Sequence, residues 1–132
     1  MSENDQKTVL LVDDAPANIK VLNTALKEMY RTKVATSGEK ALEIAARDPK
    51  PDLILLDIMM PGMDGFEVCE KLKADPETKD IPVIFLSGKN NPGDRSRGLA
   101  LGAIDFLEKP IDVTMVCIWV TEHLNSIKPA ED

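Results

Sequence analysis

The sequence has little of what marks secreted, membrane-spanning or nucleic-acid-binding proteins. Its two cysteines, Cys69 and Cys117, lie in helical contexts without a CxxC spacing, which favours buried thiols in a reducing cytoplasm over a disulfide framework. Basic residues number 16 against 23 acidic ones, and the net charge of −7 argues against direct binding to a nucleic-acid backbone. After the polar start Met1–Lys7, the first apolar run is too short for a signal peptide or a membrane span.

What is present is the composition of one soluble domain. Hydrophobic residues make up 43% of the 132 residues and charged residues 30%, which suits a packed core beneath a solvated surface. No internal repeat or low-complexity segment divides the sequence. We expect a single domain over residues 8–127, with short tails at 1–7 and 128–132.

Strand-like and helix-like segments alternate five times. The predicted strands are Thr8–Val12, Arg31–Thr36, Leu53–Leu56, Pro82–Leu86 and Ala103–Leu107. A predicted helix follows each strand. The first has Pro16 in its first turn and apolar residues at helical spacing from Ile19 to Met29, and the third has Phe66, Cys69 and Leu72 on one face. The others are predicted at Glu39–Arg47, at about Pro92–Leu101 and from an N-cap at Asp112 to about Ser126. Short connections and right-handed crossovers imply an α/β fold: a doubly wound, five-stranded parallel sheet with five helices, in the flavodoxin-like order 2-1-3-4-5.

Polar side chains stand where four of these strands end. Asp13 and Asp14 follow the first strand, Asp57 the third, Ser87 the fourth, and Lys109 comes just past the fifth. In the predicted order the third strand lies between the first and the fourth, so the two acids and the hydroxyl flank Asp57. The fifth strand is two positions away, roughly 10 Å, a distance that only a long side chain such as lysine could span. All five groups are therefore expected at one edge of the sheet.

This cluster has the composition of a magnesium site that handles phosphate. A pair of carboxylates 4 Å apart costs about 4 kcal/mol at an effective dielectric of 20, so the acids need protons or a cation. Oxygen ligands with room for water and phosphate favour Mg²⁺. A carboxylate beside Mg²⁺ and Lys109 is arranged to attack phosphorus. Asp57 taken alone could equally be a capping or turn acid, whereas a purely stabilising charge network would seldom improve on apolar packing.

The chain resembles a two-component receiver domain of the chemotaxis response-regulator type over Thr8–Ile127. The residues that carry the resemblance are Asp13-Asp14, the segment DIMMPGMDG from Asp57 to Gly65, Ser87, Phe106 and Lys109-Pro110. The resemblance implies that Asp57 is the phosphoacceptor, and that Ser87 and Lys109 contact the phosphoryl group. It further implies Mg²⁺ ligands at Asp14, Asp57 and the Met59 carbonyl, with Asp13 acting through water.

The same resemblance implies a switch on the face formed by the fourth helix, fifth strand and fifth helix. Phe106 occupies the aromatic switch position, although plain core packing explains it equally well. The fourth helix should shift easily, because Gly93 and Gly98 each cost about 1 kcal/mol relative to Ala inside a helix. The implied partners are a histidine kinase or phosphotransfer protein as donor and a downstream protein as target, with neither nucleic acid nor membrane.

The last helix is the most individual part of the sequence. One face, expected against the sheet, carries Val113, Val116, Val120, Leu124 and Ile127. Met115, Ile118 and Trp119 point largely away from it, which favours a partner surface over coverage of Trp119 by neighbouring elements. The helix lacks Lys and Arg, which disfavours a charge-paired homodimer, although a phosphorylation-dependent homodimer stays an alternative. His123, the one histidine in the sequence, is expected to be solvated.

Two other function classes fit less well. A haloacid-dehalogenase-like phosphatase needs a DxD pair after the first strand, whereas this chain has adjacent Asp13-Asp14. A flavodoxin-like cofactor carrier needs a phosphate-cradling loop, and neither GxGxxG nor GxxxxGK[ST] occurs. We therefore expect a stand-alone, phosphorylation-controlled binding module and not an enzyme.

Overall fold

Five strands and five helices alternate in the part of the chain that the computed structural model describes, which is residues 7–88, 92–109 and 112–126 without the side chains of Pro92 and Ser126. The strands are β1 (Thr8–Val12), β2 (Arg31–Ala35), β3 (Leu53–Asp57), β4 (Val83–Ser87) and β5 (Asp105–Glu108). The helices are α1 (Pro16–Leu26), α2 (Gly38–Ala45), α3 (Gly65–Ala74), α4 (Pro92–Ala100) and α5 (Val113–Ser126). All strand pairs are parallel in the order β2-β1-β3-β4-β5, which confirms the predicted fold.

The three central strands are apolar on both faces because helices cover both sides of the sheet. On one side Leu10, Ile54 and Phe85 pack in a cluster with residues of α2 and α3. On the other side the alternate positions, such as Leu11 and Leu55, pack against residues of α1 and α5. Every residue of β1, β3 and β4 is buried, so the sheet forms a rigid support whose carboxyl ends carry the polar side chains.

The turn after β3 brings α3 close to the end of that strand. Asp64 caps α3 with a capping box, in which its side chain accepts from the Glu67 N–H while the Glu67 side chain accepts from the Asp64 N–H. The Gly65 N–H then donates to the Ile58 carbonyl at 2.8 Å. A Cβ on Gly65 would overlap the Asp57 carbonyl oxygen and lie 2.8 Å from the Ile58 Cα. Glycine is therefore required for α3 to begin beside Asp57.

Several predicted boundaries are wrong by a few residues. Helix α1 ends at Leu26 and not at Met29, whose side chain is 45% exposed, because the chain turns back there with Met29 and Tyr30 N–H groups bonded to the Leu26 carbonyl. Strand β5 begins at Asp105 and not at Ala103, since Ala103 still donates to the Gly98 carbonyl in the turn that ends α4.

The inward face of α5 is largely as predicted. Val116, Val120 and Leu124 are buried against α1 and the sheet, and Asp112 caps the helix by accepting from the Thr114 N–H at 3.0 Å. Val113 is 36% exposed, so its predicted packing on the sheet is wrong: it lies in the first turn, where the helix has not yet closed onto the core. Ile127, and likewise Pro110, lie outside the described residues.

The expectation for His123 is also wrong. Its Nε2 lies 3.2 Å from Oδ2 of Asp105 in β5, and the histidine side chain is only 21% exposed. The ring stacks on Trp119, with centroids 5.6 Å apart and planes inclined by 20°. Sequence periodicity did not detect this contact because the partner carboxylate comes from another element.

Among the helices of the described residues, none combines the length and the apolar composition that a membrane span requires.

The close approach at Gly65 yields a stability prediction. Gly65→Ala should lower the free energy of unfolding by about 2 kcal/mol, because the new methyl group overlaps backbone atoms that cannot move aside cheaply. Gly88→Ala is the matched control: a Cβ there meets nothing within 4 Å, so the change should stay within about 0.5 kcal/mol. Urea denaturation of the three proteins measures both. Equal stability of Gly65→Ala and wild type would contradict the inferred overlap.

Candidate functional site

The predicted site residues meet at the carboxyl edge of the sheet. Asp13 is 0% exposed, Asp57 1% and Ser87 3%. Such burial is rare for the two carboxylates unless they are paired. The strand register accounts for the meeting. Val12 lies opposite Leu56 and Asp57 opposite Leu86, so the residues that end three neighbouring strands share one level.

Lys109 links two of the acids across the sheet edge. Its Nζ lies 2.9 Å from Oδ1 of Asp57 and 3.4 Å from Oδ2 of Asp13. Its backbone N–H donates to the Ser87 carbonyl at 2.7 Å, which continues the β4–β5 pairing past the last strand residue. The backbone of Lys109 is thus fixed beside Ser87 while its side chain spans the distance to β1 and β3.

The three aspartates form a cluster that could hold a metal ion. Asp13, Asp14 and Asp57 each offer a carboxylate oxygen, and these oxygens all lie within 4.8 Å of one another. Asp13 is fixed by the Ala15 N–H, which donates to Oδ1 at 2.9 Å, and by the Asn18 amide, which donates to Oδ2 at 3.1 Å. Asp14 is exposed, so the cluster has one open side facing solvent.

The electrostatics of the cluster are unbalanced in favour of negative charge. Burial raises the pKa of Asp57, opposed by the hydrogen bond from Lys109, while the charge of Asp13 raises it further and a hydrogen bond from the Met59 backbone lowers it. Burial alone would lower the pKa of Lys109, but its hydrogen bonds and charge interactions with Asp57 and Asp13 outweigh burial and raise it. One ammonium therefore faces three carboxylates, and a further cation would relieve the repulsion.

The surroundings leave space beside the acids. Met59, two residues past Asp57, has a side chain that is 71% exposed at the mouth of the site. Gly88, directly after Ser87, has open space where a Cβ would stand. A group attached to Asp57 would therefore find room on the solvent side without displacing the core.

Phe106 lies apart from the polar cluster, on the face of the sheet that α4 covers. It is 8% exposed, and its ring lies 5.4 Å from that of Phe85. Phe85 in turn contacts Phe66 at 5.3 Å. Sequence reasoning missed this row of three rings, and it missed that Gly98 of α4 packs against two of them. A glycine in the middle of a predicted helix was the available signal.

Comparison with known proteins agrees with the geometry. Residues 9–120 match the family model described as "Response regulator receiver domain". The response regulator PleD of Caulobacter vibrioides is 53% identical over 109 residues, which cover 82% of this chain and 24% of PleD. Protein PilH of Pseudomonas aeruginosa is 39% identical over 105 residues, or 79% of this chain and 86% of PilH.

Solved structures agree as well. The signal receiver domain of a signal transduction histidine kinase from Syntrophus aciditrophicus superposes with a TM-score of 0.83 at 35% identity, covering 96% of each chain. The chain spans about a quarter of the length of its longer curated relatives, such as PleD. With its acid cluster at the edge of a 2-1-3-4-5 sheet, the chain belongs to the response regulator receiver domains of two-component systems.

Proposed function

We propose that residues 8–127 form a cytoplasmic receiver that accepts a phosphoryl group on Asp57 from a histidine kinase or a phosphotransfer protein, in a reaction that requires Mg²⁺. The observation that carries the proposal is the contact of Lys109 Nζ with Asp57 Oδ1 at 2.9 Å, inside a cluster of three carboxylates that is open to solvent. A buried acid is thereby held next to one cation, with space for a second and for a phosphoryl group.

The residues present suit Mg²⁺. The donors are carboxylate oxygens, which hard divalent ions prefer, and three carboxylates against one ammonium leave two negative charges for the ion to balance. Asp14, Asp57 and the Met59 carbonyl would hold the ion, with Asp13 acting through water. Bound there, Mg²⁺ would neutralise charge on the oxygens of the transferring phosphoryl group.

The reaction needs little beyond what these side chains supply. A carboxylate oxygen of Asp57 attacks phosphorus; an O–P bond forms while the P–N bond of the donor phosphohistidine breaks, and the donor imidazole keeps the electron pair and takes a proton. Lys109 follows the negative charge from the carboxylate to the phosphoryl oxygens. The Ser87 hydroxyl donates a hydrogen bond to one of them, and the open space at Gly88 accommodates the new group.

The output surface proposed for the downstream partner is the outer face of α5. Met115 is 45% exposed and Ile118 48%, and large apolar side chains on a solvated helix suit a protein contact. Trp119 is half-buried and stacked on His123, so it contributes one edge of the surface and not a free ring. Phosphorylation would change this surface through α4 and β5, to which α5 is joined at Asp105.

Labelling tests the proposal directly. With Mg²⁺ and a small phosphodonor such as acetyl phosphate, the protein should gain one acid-labile phosphoryl group per chain, measured by intact mass. Asp57→Asn should gain none, and chelation of Mg²⁺ should prevent labelling of wild type. Asp80→Asn, an exposed acid outside the site, is the control that should label normally. Labelling that survives in Asp57→Asn would refute the assignment of the phosphoacceptor.

The charge excess predicts an effect on stability. Because burial raises the pKa of Asp57, the stability that protonation of Asp57 contributes is complete below its ordinary value of about 4 and is lost as the pH rises through the higher folded value. Asp57→Asn, which cannot ionise, should therefore be more stable than wild type at pH 7 without metal, by about 1 kcal/mol. The difference should shrink toward pH 4, as measured by urea denaturation with a chelator present. A less stable Asp57→Asn at pH 7 would show that the Lys109 contact outweighs the repulsion.

Two neighbouring residues of the outer face of α5, Ile118 and Trp119, should differ in how much stability a glutamate substitution costs. Ile118→Glu should leave the free energy of unfolding within about 0.5 kcal/mol of wild type, because the residue is nearly half exposed. Trp119→Glu should cost about 1–2 kcal/mol through loss of the stack on His123. Thermal or urea denaturation distinguishes the two variants. Equal, negligible losses would mean that the Trp119–His123 stack does not stabilise the fold.

A further inference from the structure

Gly98 stands where α4 approaches the sheet most closely. It is buried, whereas its neighbours Arg97 and Leu99 are exposed. A Cβ at this position would overlap Cε1 of Phe106 and would lie 2.8 Å from Cδ2 and 3.0 Å from Cε2 of Phe85. The edges of two buried rings thus occupy the volume that any side chain at Gly98 would need. The glycine therefore allows the backbone of α4 to lie against these ring edges, in addition to lowering the helix propensity of α4.

The rings under α4 form a continuous row across three elements. Phe66 of α3, Phe85 of β4 and Phe106 of β5 follow one another with centroids 5.3 and 5.4 Å apart. The guanidinium of Arg97 lies 4.3 Å from the centroid of Phe66, a cation–π distance. Helix α4 is therefore seated on this row at both ends, by Arg97 over the first ring and by Gly98 against the other two.

The row is tied to the candidate phosphorylation site through the strands that carry it. Phe85 lies opposite Phe106 in the β4–β5 register, and Ser87 lies opposite Glu108, directly before Lys109. The Lys109 N–H is bonded to the Ser87 carbonyl, so the ends of both strands are joined at the site. If the Phe106 ring moves, the space that is available to α4 at Gly98 changes, because the ring edge lies directly against this residue.

We propose that Gly98 is a positioning residue that couples α4 to the occupancy of the site: its missing side chain lets α4 close onto Phe106, so the position of the helix depends on the position of the ring. The proposal rests on the proposed function for the identity of the site. A methyl group at residue 98 should disfavour the closed arrangement. It should shift the protein, before any phosphorylation, toward an arrangement in which α4 stands away from Phe106, which is the arrangement that we propose an occupied site favours.

The test compares Gly98→Ala with Gly93→Ala, a matched glycine change at an exposed position of the same helix. In the metal-bound, unphosphorylated protein, Gly98→Ala should shift the backbone amide signals of α4 and β5 in the direction that beryllofluoride shifts them in wild type. It should also raise the labelling rate with acetyl phosphate about tenfold, as a shift of about 1.4 kcal/mol in a two-state equilibrium would. Gly93→Ala should change only the amide signals near residue 93 and should leave the β5 signals and the labelling rate close to wild-type values.

Removal of the opposing ring edge provides the second arm. In a Phe106→Leu background the added methyl group no longer overlaps the Phe106 ring edge, although the Phe85 ring remains. Gly98→Ala should therefore change the amide signals and the labelling rate by clearly less than it does in the wild-type background. An effect of Gly98→Ala that is confined to its own helical turn, or one that is undiminished by Phe106→Leu, would overturn the proposal. If Gly98→Ala does not fold, Phe106→Leu alone decides: beryllofluoride should still shift Ser87 and Gly88 but move α4 less than half as far as in wild type.

Failure of this proposal can be told from failure of the proposed function. Denaturation midpoints for the same four proteins (wild type, each single variant and the double variant) need no phosphodonor. Gly98→Ala should lower the midpoint, and it should lower it by clearly less when Phe106→Leu is also present. If no protein labels but this pattern holds, the phosphoacceptor is misassigned and the steric contact stands. If wild type labels and the pattern is absent, Gly98 does not position Phe106.

Discussion

The contact of Lys109 with two buried aspartates is the interaction on which the site depends. A single ammonium 2.9 Å from Asp57 and 3.4 Å from Asp13 makes it possible for carboxylates to lie at an edge where the sheet excludes water. Without it, two nearly inaccessible acids would repel each other with no positive charge beside them. The rest of the structure keeps the groups in place: apolar strands set their level, and hydrogen bonds from Ala15 and Asn18 orient Asp13.

The cluster of three carboxylates is held in place by the fold, but its negative charge is only partly neutralised. The remaining charge is what would let the cluster bind a cation. A fully neutralised cluster would gain nothing from a cation or a phosphoryl group, whereas an excess of negative charge with an open side at Asp14 favours divalent binding. The proposed phosphorylation of Asp57 would change which oxygen atoms the Lys109 ammonium has to balance. Because the Lys109 backbone is bonded to Ser87, a movement of the lysine would also act on the end of β4. The proposed chemistry and any conformational response would then depend on the same balance of charge.

Much of this could be predicted from sequence, because the positions that matter come directly after apolar strands. Parallel order places Asp13, Asp57 and Ser87 at one level whatever the details of packing, so their meeting follows from topology alone. Contacts between elements could not be predicted in the same way. The sequence predicts a solvated His123 and does not reveal that Asp105 faces it. Likewise Gly98 looks like a weak point in α4 until the rings that fill its missing side chain are located.

The Asp105 side chain connects β5 with α4 and with the outer face of α5 through direct contacts. Its Oδ1 accepts the backbone N–H of Phe106 at 2.7 Å, and its Oδ2 meets His123, which stacks on Trp119. The Arg95 guanidinium of α4 approaches the same carboxylate at 4.0 Å. One side chain therefore joins α4, β5 and α5 next to the ring that contacts Gly98. Phe106 is thus connected to the indole of Trp119 through Asp105 and His123. The half-buried Trp119 stacks on a histidine that belongs to this junction, so its indole fluorescence should respond to any rearrangement of Asp105 and His123.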